Sequence, residues 1–268
     1  MVEPYYDAGG ITIYNARCED VLPILEAESI GLVVTSPPYN KAGSLKNRKG
    51  GHTSNWQGYA DRNWYGDEMS QVEYEEWQLR VLDQCARLLV PGGAILYNHK
   101  AISQKNVEVH PRDWLLRSDL LAIRQTLIWL NKACCQFNNG LWYPFHELLF
   151  WLYRRGDRPR PVNKDCQRFT SVWEILCDRQ TEWHPCAFPY ELAARAIVGL
   201  SQPGENVLDP FAGSGTVGVA AKALGRRAIL IERDEGYCQK TVERLSQQPL
   251  FAEVEERKPA QRTLLAGD

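Results

Sequence analysis

The chain of 268 residues reads as a doubly wound α/β protein on a mainly parallel seven-stranded sheet. Three observations predict this. Apolar, β-branched runs recur along the chain with helix-patterned stretches between them, the rhythm of strands joined by crossover helices. Two of those runs end in short motifs rich in glycine or proline, which places a site at the carboxyl ends of strands. The length suits one large domain with insertions and a sizeable core.

The strand-like runs are GITIYNA (10–16), IGLVVTS (30–36), GAILYNH (93–99), QTLIWLN (125–131), HELLFWLY (146–153), ENVLDPF (205–211) and RAILIER (227–233). IGLVVTS is apolar almost throughout, as a strand covered on both faces must be. Helices are expected over about 19–28, 70–90, 113–121, 190–200, 215–224 and 235–246. Pro91-Gly92-Gly93 is expected to stop the helix before the third strand, because proline cannot continue a helix and glycine suits its end. A single domain over residues 1–250 is expected, with a catalytic half at 10–153, a cofactor half at 183–246 and a frayed tail at 251–268.

Two stretches break the rhythm. Residues 41–66 carry Lys41, Lys46, Arg48 and Lys49 with Trp56, Tyr59 and Trp64 interleaved. Residues 154–182 open with Arg154, Arg155, Arg158, Arg160, Lys164 and Arg168 against only Asp157 and Asp165 up to position 168. Connections this long are usually functional. Basic residues with aromatics among them suit phosphate and base contacts, so Lys41, Lys46, Arg48, Lys49, Arg155 and Arg158 are candidate nucleic-acid contacts, although a solvated loop has the same composition.

Composition bounds the rest. Apolar residues make up 44% and charged residues 24%, and no apolar run approaches the roughly 18 residues of a membrane span. MVEPYYDAGG lacks the basic and apolar regions of a signal peptide, so a cytoplasmic protein is expected. The net charge of −2 excludes a wholly basic coat but leaves room for a local basic groove. Eight cysteines are scattered, two of them adjacent at Cys134 and Cys135, which reads as reduced thiols. Cys166, Cys177, His184 and Cys186 contain no CxxC pair, so no metal site is expected.

The first motif, TSPPYN (35–40), ends a buried strand with two fixed φ angles. Such a segment holds the hydroxyl of Ser36, a proline carbonyl and the ring of Tyr39 rigidly. The second, DPFAGSGT (209–216), turns from a strand into an alanine-rich helix, and the next strand ends at Glu232. Glycines there let a ligand approach the backbone, and an acid at the end of the following strand suits ribose hydroxyls. An ATP loop would need GxxxxGK[ST], and no lysine is near. Gly213-Ser214-Gly215-Thr216-Val217-Gly218 matches GxGxxG literally, yet the Asp209 carboxylate would repel a pyrophosphate and attract a cationic amino-acid group. S-adenosylmethionine, with an ammonium and a sulfonium, fits.

Together the two motifs resemble the β-group of DNA amino-methyltransferases, in which the catalytic motif precedes the cofactor motif in a circularly permuted order. Pro91-Gly92-Gly93, TLIWLNK, HELLFWLYR, SVWEI, HPCAFPYELAARAI and Asp20 in ARCEDVLPIL extend the resemblance over roughly 10–245. It implies the Rossmann-like fold of S-adenosylmethionine-dependent methyltransferases. It also implies double-stranded DNA as partner and a target base flipped out of the duplex. By resemblance, Tyr39 stacks on the extruded ring while Ser36 Oγ and the Pro37 carbonyl accept the two amine hydrogens, with Pro38 fixing the loop. On the cofactor side the implied set is Asp20 (adenine amine), Phe188 and Pro189 (closing over the methionine), Asp209 (ammonium), Phe211 (packing), Gly213, Ser214, Gly215 and Thr216 (the turn) and Glu232 (ribose). Serine at position 36 resembles the subgroup acting on N4 of cytosine, whereas the adenine N6 enzymes mostly carry aspartate there. Adenine N6, RNA and a silent binding module stand as alternatives. A cognate restriction endonuclease or an orphan enzyme, and a monomer or a homodimer, are all compatible with the resemblance. His99, His110 and His146 read as structural or surface residues.

Overall fold

A computed structural model describes residues 2–40, 69–104, 106–131, 142, 145–167, 169–176 and 188–247. In chain order the strands are β1 (Tyr6–Ala8), β2 (Ile11–Asn15), β3 (Ile30–Thr35), β4 (Leu89–His99), β5 (Ile102–Gln104), β6 (Val107–Val109), β7 (Leu121–Leu130), β8 (His146–Arg154), β9 (Val172–Glu174), β10 (Asn206–Asp209) and β11 (Arg227–Glu232). The helices are α1 (Cys18–Val21), α2 (Gln71–Leu88), α3 (Pro111–Leu115), α4 (Tyr190–Leu200), α5 (Thr216–Ala223) and α6 (Glu235–Ser246).

A nine-stranded sheet in the order β1-β2-β11-β10-β3-β4-β8-β7-β9 carries the fold, with β5 and β6 paired apart from it. All its strands except β1 and β8 share one direction. The seven strands expected from sequence are its interior, and the two additions are the short edge strands β1 and β9. Alternate residues of each strand face opposite sides. Leu32 and Val34 join the apolar layer under α4, α5 and α6, while Val33 joins the layer under α1, α2 and α3. Strand β3 is buried along its whole length because both layers cover it.

Several expectations are corrected. The helix expected over 19–28 is only α1 followed by a 3₁₀ turn over Leu22–Ile24, since Pro23 removes a helical donor. The helix expected over 113–121 shrinks to α3, because residues from Leu121 onward pair with Arg154, Tyr153 and Leu152 of β8. Pro91-Gly92-Gly93 does not separate helix from strand. Helix α2 ends at Leu88 and β4 starts at Leu89, and the motif forms a kink within the strand, with Gly92 at φ 76° and a register shift opposite Ile30 and Leu32.

The course of the stretch from 154 follows from the direction of β8. Because β8 runs antiparallel to β4, its end at Arg154 lies at the amino edge of the parallel strands. From there the chain passes Gly92 and Glu205, docks Asn163 on the end of α4 and returns as β9, parallel to β7. Residues 154–167 and 169–176 thus belong to a crossover that completes the sheet; 168 and 177–182, the rest of the expected recognition insertion, lie outside the described residues.

Candidate active site

Strands β3 and β10 are neighbours, and their carboxyl ends carry the two motifs. Thr35 Oγ1 donates to Asp209 Oδ1 at 2.8 Å, a buried bond joining the catalytic motif to the cofactor motif across 174 positions of sequence. The reversal of strand order falls here, where a ligand crevice is expected in an open α/β sheet.

On the β3 side, four side chains converge. Ser36 Oγ lies 3.0 Å from Asn98 Oδ1 and 3.1 Å from the Tyr39 hydroxyl. The Tyr39 hydroxyl lies 2.9 Å from Asn98 Oδ1 and 2.9 Å from Glu147 Oε2. Asn98 Nδ2 donates to the Leu148 carbonyl at 3.1 Å, which fixes the amide so that its oxygen faces the two hydroxyls. An amide oxygen only accepts. When the Ser36 hydrogen is committed to that oxygen, the serine lone pairs face away from it, and Ser36 is an acceptor toward a substrate. Burial, followed by the neighbouring Glu147 carboxylate, pushes the Tyr39 phenol well above its usual range near 10.

The loop itself is held from behind. Tyr74 of α2 donates its hydroxyl to the Pro38 carbonyl at 2.7 Å and stands 2.8 Å from His99 Nε2. The Pro37 carbonyl accepts no hydrogen bond from the described residues. The His99 ring lies 4.7 Å from that of Tyr39, tilted by 35°, and Lys100 Nζ stands 5.8 Å from the Tyr39 ring centre. Asn40 Nδ2 donates to the Met69 carbonyl at 2.9 Å, holding together the two ends of the segment 41–68 beside the catalytic loop. Lys41, Lys46, Arg48 and Lys49 lie in that segment, outside the described residues.

On the β10 side, Asp209 is 5% exposed and its Oδ1 also accepts from the Phe211 amide at 3.1 Å. Burial raises its carboxyl from an ordinary 3.8 to about 7, against the lowering effect of those two donors and with a further push from Glu232. A buried carboxylate without a counter-charge is costly, and a cation beside it would lower that cost. Gly213 at φ 48° and Gly215 at φ 69° shape the turn, a backbone conformation that favours glycine. A Cβ on Gly215 would stand 2.2 Å from Thr241 Cγ2 of α6, so the turn rests directly on that helix. Gly218 does the same for α5, where a Cβ would meet Leu230 Cδ1 at 2.5 Å. Arg244 of α6 donates to the Ser214 carbonyl and, at 3.2 Å, to Thr216 Oγ1.

Glu232 is 4% exposed and accepts from the Gly213 amide on Oε2 and the Asp234 amide on Oε1, both at 2.8 Å. Its carboxylate therefore braces the glycine turn, a role that the ribose expectation had not included. Phe211 is half-buried against Trp77, 5.5 Å away and edge-on. Trp77 Nε1 donates to Glu19 at 2.8 Å. Asp20, expected at the end of the first strand, is instead exposed on α1, five residues past β2, and Glu19 is the acid drawn inward. Burial would raise the Glu19 carboxyl, but bonds from Arg17 and Trp77 hold it at about 2.

Phe188 is half-buried before α4, edge-on to Trp129 at 6.3 Å, and Pro189 is buried as the N-cap of α4. Phe188 packs into the layer under α4 to α6 and Phe211 into the opposite layer, so the two rings flank the sheet from different faces. Arg155 and Arg158 are exposed at the amino edge of the parallel strands, the edge opposite Ser36 and Tyr39. Sequence reasoning missed Asn98, Glu147 and Tyr74. Asn98 and Glu147 sit inside runs that read simply as strands, and only the antiparallel pairing of β8 with β4 brings them together. No group of three or more metal-binding side chains occurs among the described residues.

The site thus pairs a buried acidic pocket on a glycine turn with a rigid hydroxyl and carbonyl surface, the arrangement of a group-transfer enzyme acting between two ligands. Residues 30–243 match the DNA methylase family of N6- and N4-directed enzymes, and the chain belongs to that family. It is 25% identical to the type II methyltransferase M2.DpnII of Streptococcus pneumoniae over 251 residues, 88% of this chain and 90% of that one. It is 27% identical to the type II methyltransferase M.HinfI of Haemophilus influenzae over 287 residues, 96% of this chain and 76% of that one. Among solved structures, the PvuII DNA methyltransferase, described as cytosine-N4-specific, superposes with a TM-score of 0.72 at 19% identity, covering 92% of this chain and 90% of that one. A DNA modification methylase of Thermus thermophilus, solved with S-adenosyl-L-methionine, superposes with a TM-score of 0.60 at 25% identity, covering 87% and 92%. The protein is an S-adenosylmethionine-dependent DNA methyltransferase with the doubly wound fold of that class. No helix of the described residues is long and apolar enough to cross a membrane.

Proposed function

We propose that the chain methylates the exocyclic N4 amine of a cytosine flipped out of duplex DNA, in a restriction-modification setting beside a cognate endonuclease. The observation that carries the site assignment is the Ser36–Asn98 bond, which turns a serine hydroxyl at the strand end into an acceptor. Ser36 Oγ and the Pro37 carbonyl accept the two amine hydrogens, drawing the nitrogen lone pair out of ring conjugation. Both acceptors are fixed before substrate arrives, Pro37 by its own ring and the loop by Tyr74, so little reorganisation is needed during reaction. Tyr39 stacks on the base with the ring face not covered by His99.

When bound, S-adenosylmethionine supplies a methyl group made electrophilic by its sulfonium. Asp209 takes its ammonium, Glu232 its ribose hydroxyls, Phe211 its adenine face, and Phe188 and Pro189 the methionine side. The Thr35–Asp209 bond ties the amine-holding loop to the cofactor pocket, which supplies alignment for direct transfer. Serine rather than aspartate at position 36 supports cytosine, as does the likeness in fold to the PvuII enzyme.

The test is to incubate the protein with methyl-labelled cofactor and mixed-sequence duplex DNA, digest to nucleosides and identify the labelled one by mass spectrometry. N4-methylcytosine is expected. Label in N6-methyladenine overturns the base assignment while keeping the site chemistry, and label in RNA alone overturns the choice of polymer.

A further inference from the structure

We infer that Ser36, Tyr39 and Glu147 form a proton relay that carries one amine proton out of the site, with the Glu147 carboxylate as its end point. The inference rests on the amine-directed reading above. Ser36 Oγ, Tyr39 Oη and Glu147 Oε2 stand in line with separations of 3.1 and 2.9 Å, each within hydrogen-bond reach of the next. A relay member must accept one proton while giving up another, and both hydroxyls do that. The end point must hold a proton. Of the two described groups bonded to these hydroxyls, Asn98 presents an amide oxygen, which has no useful basicity, and Glu147 presents a carboxylate. His99 is engaged elsewhere: its Nε2 faces Tyr74 and its Nδ1 meets the backbone of Lys100.

The surroundings of Glu147 are consistent with this. It opens β8 at the carboxyl edge of the parallel strands, paired with Trp129 of β7, and is half-buried. Among the described residues, the titratable and charged groups about the Tyr39–Glu147 pair include His99 against the Tyr39 ring, Lys100 above it, Tyr74 behind the loop, and His146, exposed, next to Glu147 in sequence. The raised phenol keeps Tyr39 neutral, so it passes protons on and does not store the charge itself.

The balance is as follows. As the amine nitrogen bonds the methyl carbon, the carbon–sulfur pair stays on sulfur and the nitrogen becomes cationic. One N–H proton moves to Ser36 Oγ; the Ser36 hydroxyl turns its own hydrogen, which rests on Asn98 Oδ1 before reaction, to Tyr39 Oη, and the Tyr39 proton moves to Glu147. The carboxylic acid then releases its proton to water, and all three residues return to their starting state. A methylated exocyclic amine cation is a strong acid, so a carboxylate suffices and no imidazole is required.

The test is single-turnover methylation under saturating cofactor and DNA, in H2O and D2O mixtures, for the wild type, Glu147→Gln, Glu147→Asp and Tyr39→Phe. Expected is a loss of about 10²-fold for Glu147→Gln and for Tyr39→Phe, within the range of general acid–base contributions. The double variant should be no slower than either single one, since both cut the same chain. The wild type should slow in D2O with a dependence on deuterium fraction that requires more than one proton, and Glu147→Gln should lose that curvature. Glu147→Asp, which keeps a carboxylate, should recover part of the rate. Equilibrium binding of cofactor and of DNA by Glu147→Gln should match the wild type. If Glu147→Gln stays within twofold of the wild type with an unchanged isotope effect, the relay is wrong while the amine reading stands. If Glu147→Gln instead misfolds, Glu147→Asp and Tyr39→Phe decide by the same isotope criterion. A wild type that labels no exocyclic amine sinks the underlying reading, an outcome the variants cannot produce.

Discussion

Asp209→Asn is predicted to make the protein more stable at pH 8 and at the same time a poor binder of cofactor. The unfolded carboxyl titrates near 3.8 and the folded one at about 7. Between those values the folded chain keeps a proton that the unfolded chain has lost, so stability falls as pH rises and the loss is complete above about 7. At 1.36 kcal/mol per pH unit the burial of this charge costs about 4 kcal/mol. Asparagine can keep the bonds from Thr35 and Phe211 on its oxygen, while its buried NH2 forfeits about 1–3 kcal/mol, leaving a net gain of about 1–3 kcal/mol. Thermal unfolding at pH 8 and at pH 4 measures this: the variant should unfold at higher temperature at pH 8 and lose that advantage at pH 4. Cofactor affinity carries the opposite sign. An ammonium beside Asp209 requires the ionised form, so wild-type affinity should fall about tenfold for each pH unit below about 7. The window is pH 5.5–7.5, because an α-amino group itself loses charge near about 8. Titration calorimetry should show that slope in the wild type and none in Asp209→Asn. A flat wild-type affinity across the window, or a slope surviving in the variant, would refute the assignment of the cation to Asp209.

Ser36→Ala should lower the single-turnover rate by about 10²–10³-fold, as loss of one preorganised partner does, with cofactor affinity unchanged by equilibrium dialysis. Glu232→Ala orphans the amides of Gly213 and Asp234, so it should lower thermal stability by about 2–6 kcal/mol and weaken cofactor binding, with DNA affinity retained. Gly215→Ala must adopt φ 69° and meet Thr241, costing about 2–5 kcal/mol in urea unfolding, part of which Thr241→Ala should restore. Arg155→Ala with Arg158→Ala should leave the salt dependence of DNA binding unchanged, whereas loss of one phosphate contact lowers that slope by about 1.

The catalytic and cofactor motifs were legible because proline and glycine punctuate strand ends in a way few other contexts need. Their juxtaposition followed from the strand alternation, and the Thr35–Asp209 bond bears it out. What escaped depends on pairing. Asn98 and Glu147 become neighbours of Ser36 only because β8 runs antiparallel beside β4, and strand direction leaves no local mark in sequence. Arg155 and Arg158 show the same limit, since a basic run reads alike at either edge of a sheet and only the direction of β8 places them at the amino edge. Asp20 was expected at the end of the first strand and lies on α1, because that strand stops at Asn15. Glu232 shows a further limit, because an acid that braces backbone amides and one that binds a ribose look identical in sequence.

The central claim is that one flipped base presents its exocyclic amine to Ser36 Oγ and the Pro37 carbonyl while resting on Tyr39. A crystal structure of the ternary complex with target duplex and a non-transferring cofactor analogue tests it most directly. The account predicts an extruded cytosine whose N4 lies within hydrogen-bond distance of both acceptors, with the analogue's ammonium at Asp209. A base left stacked in the duplex, or an extruded base whose amine faces away from Ser36, would contradict it.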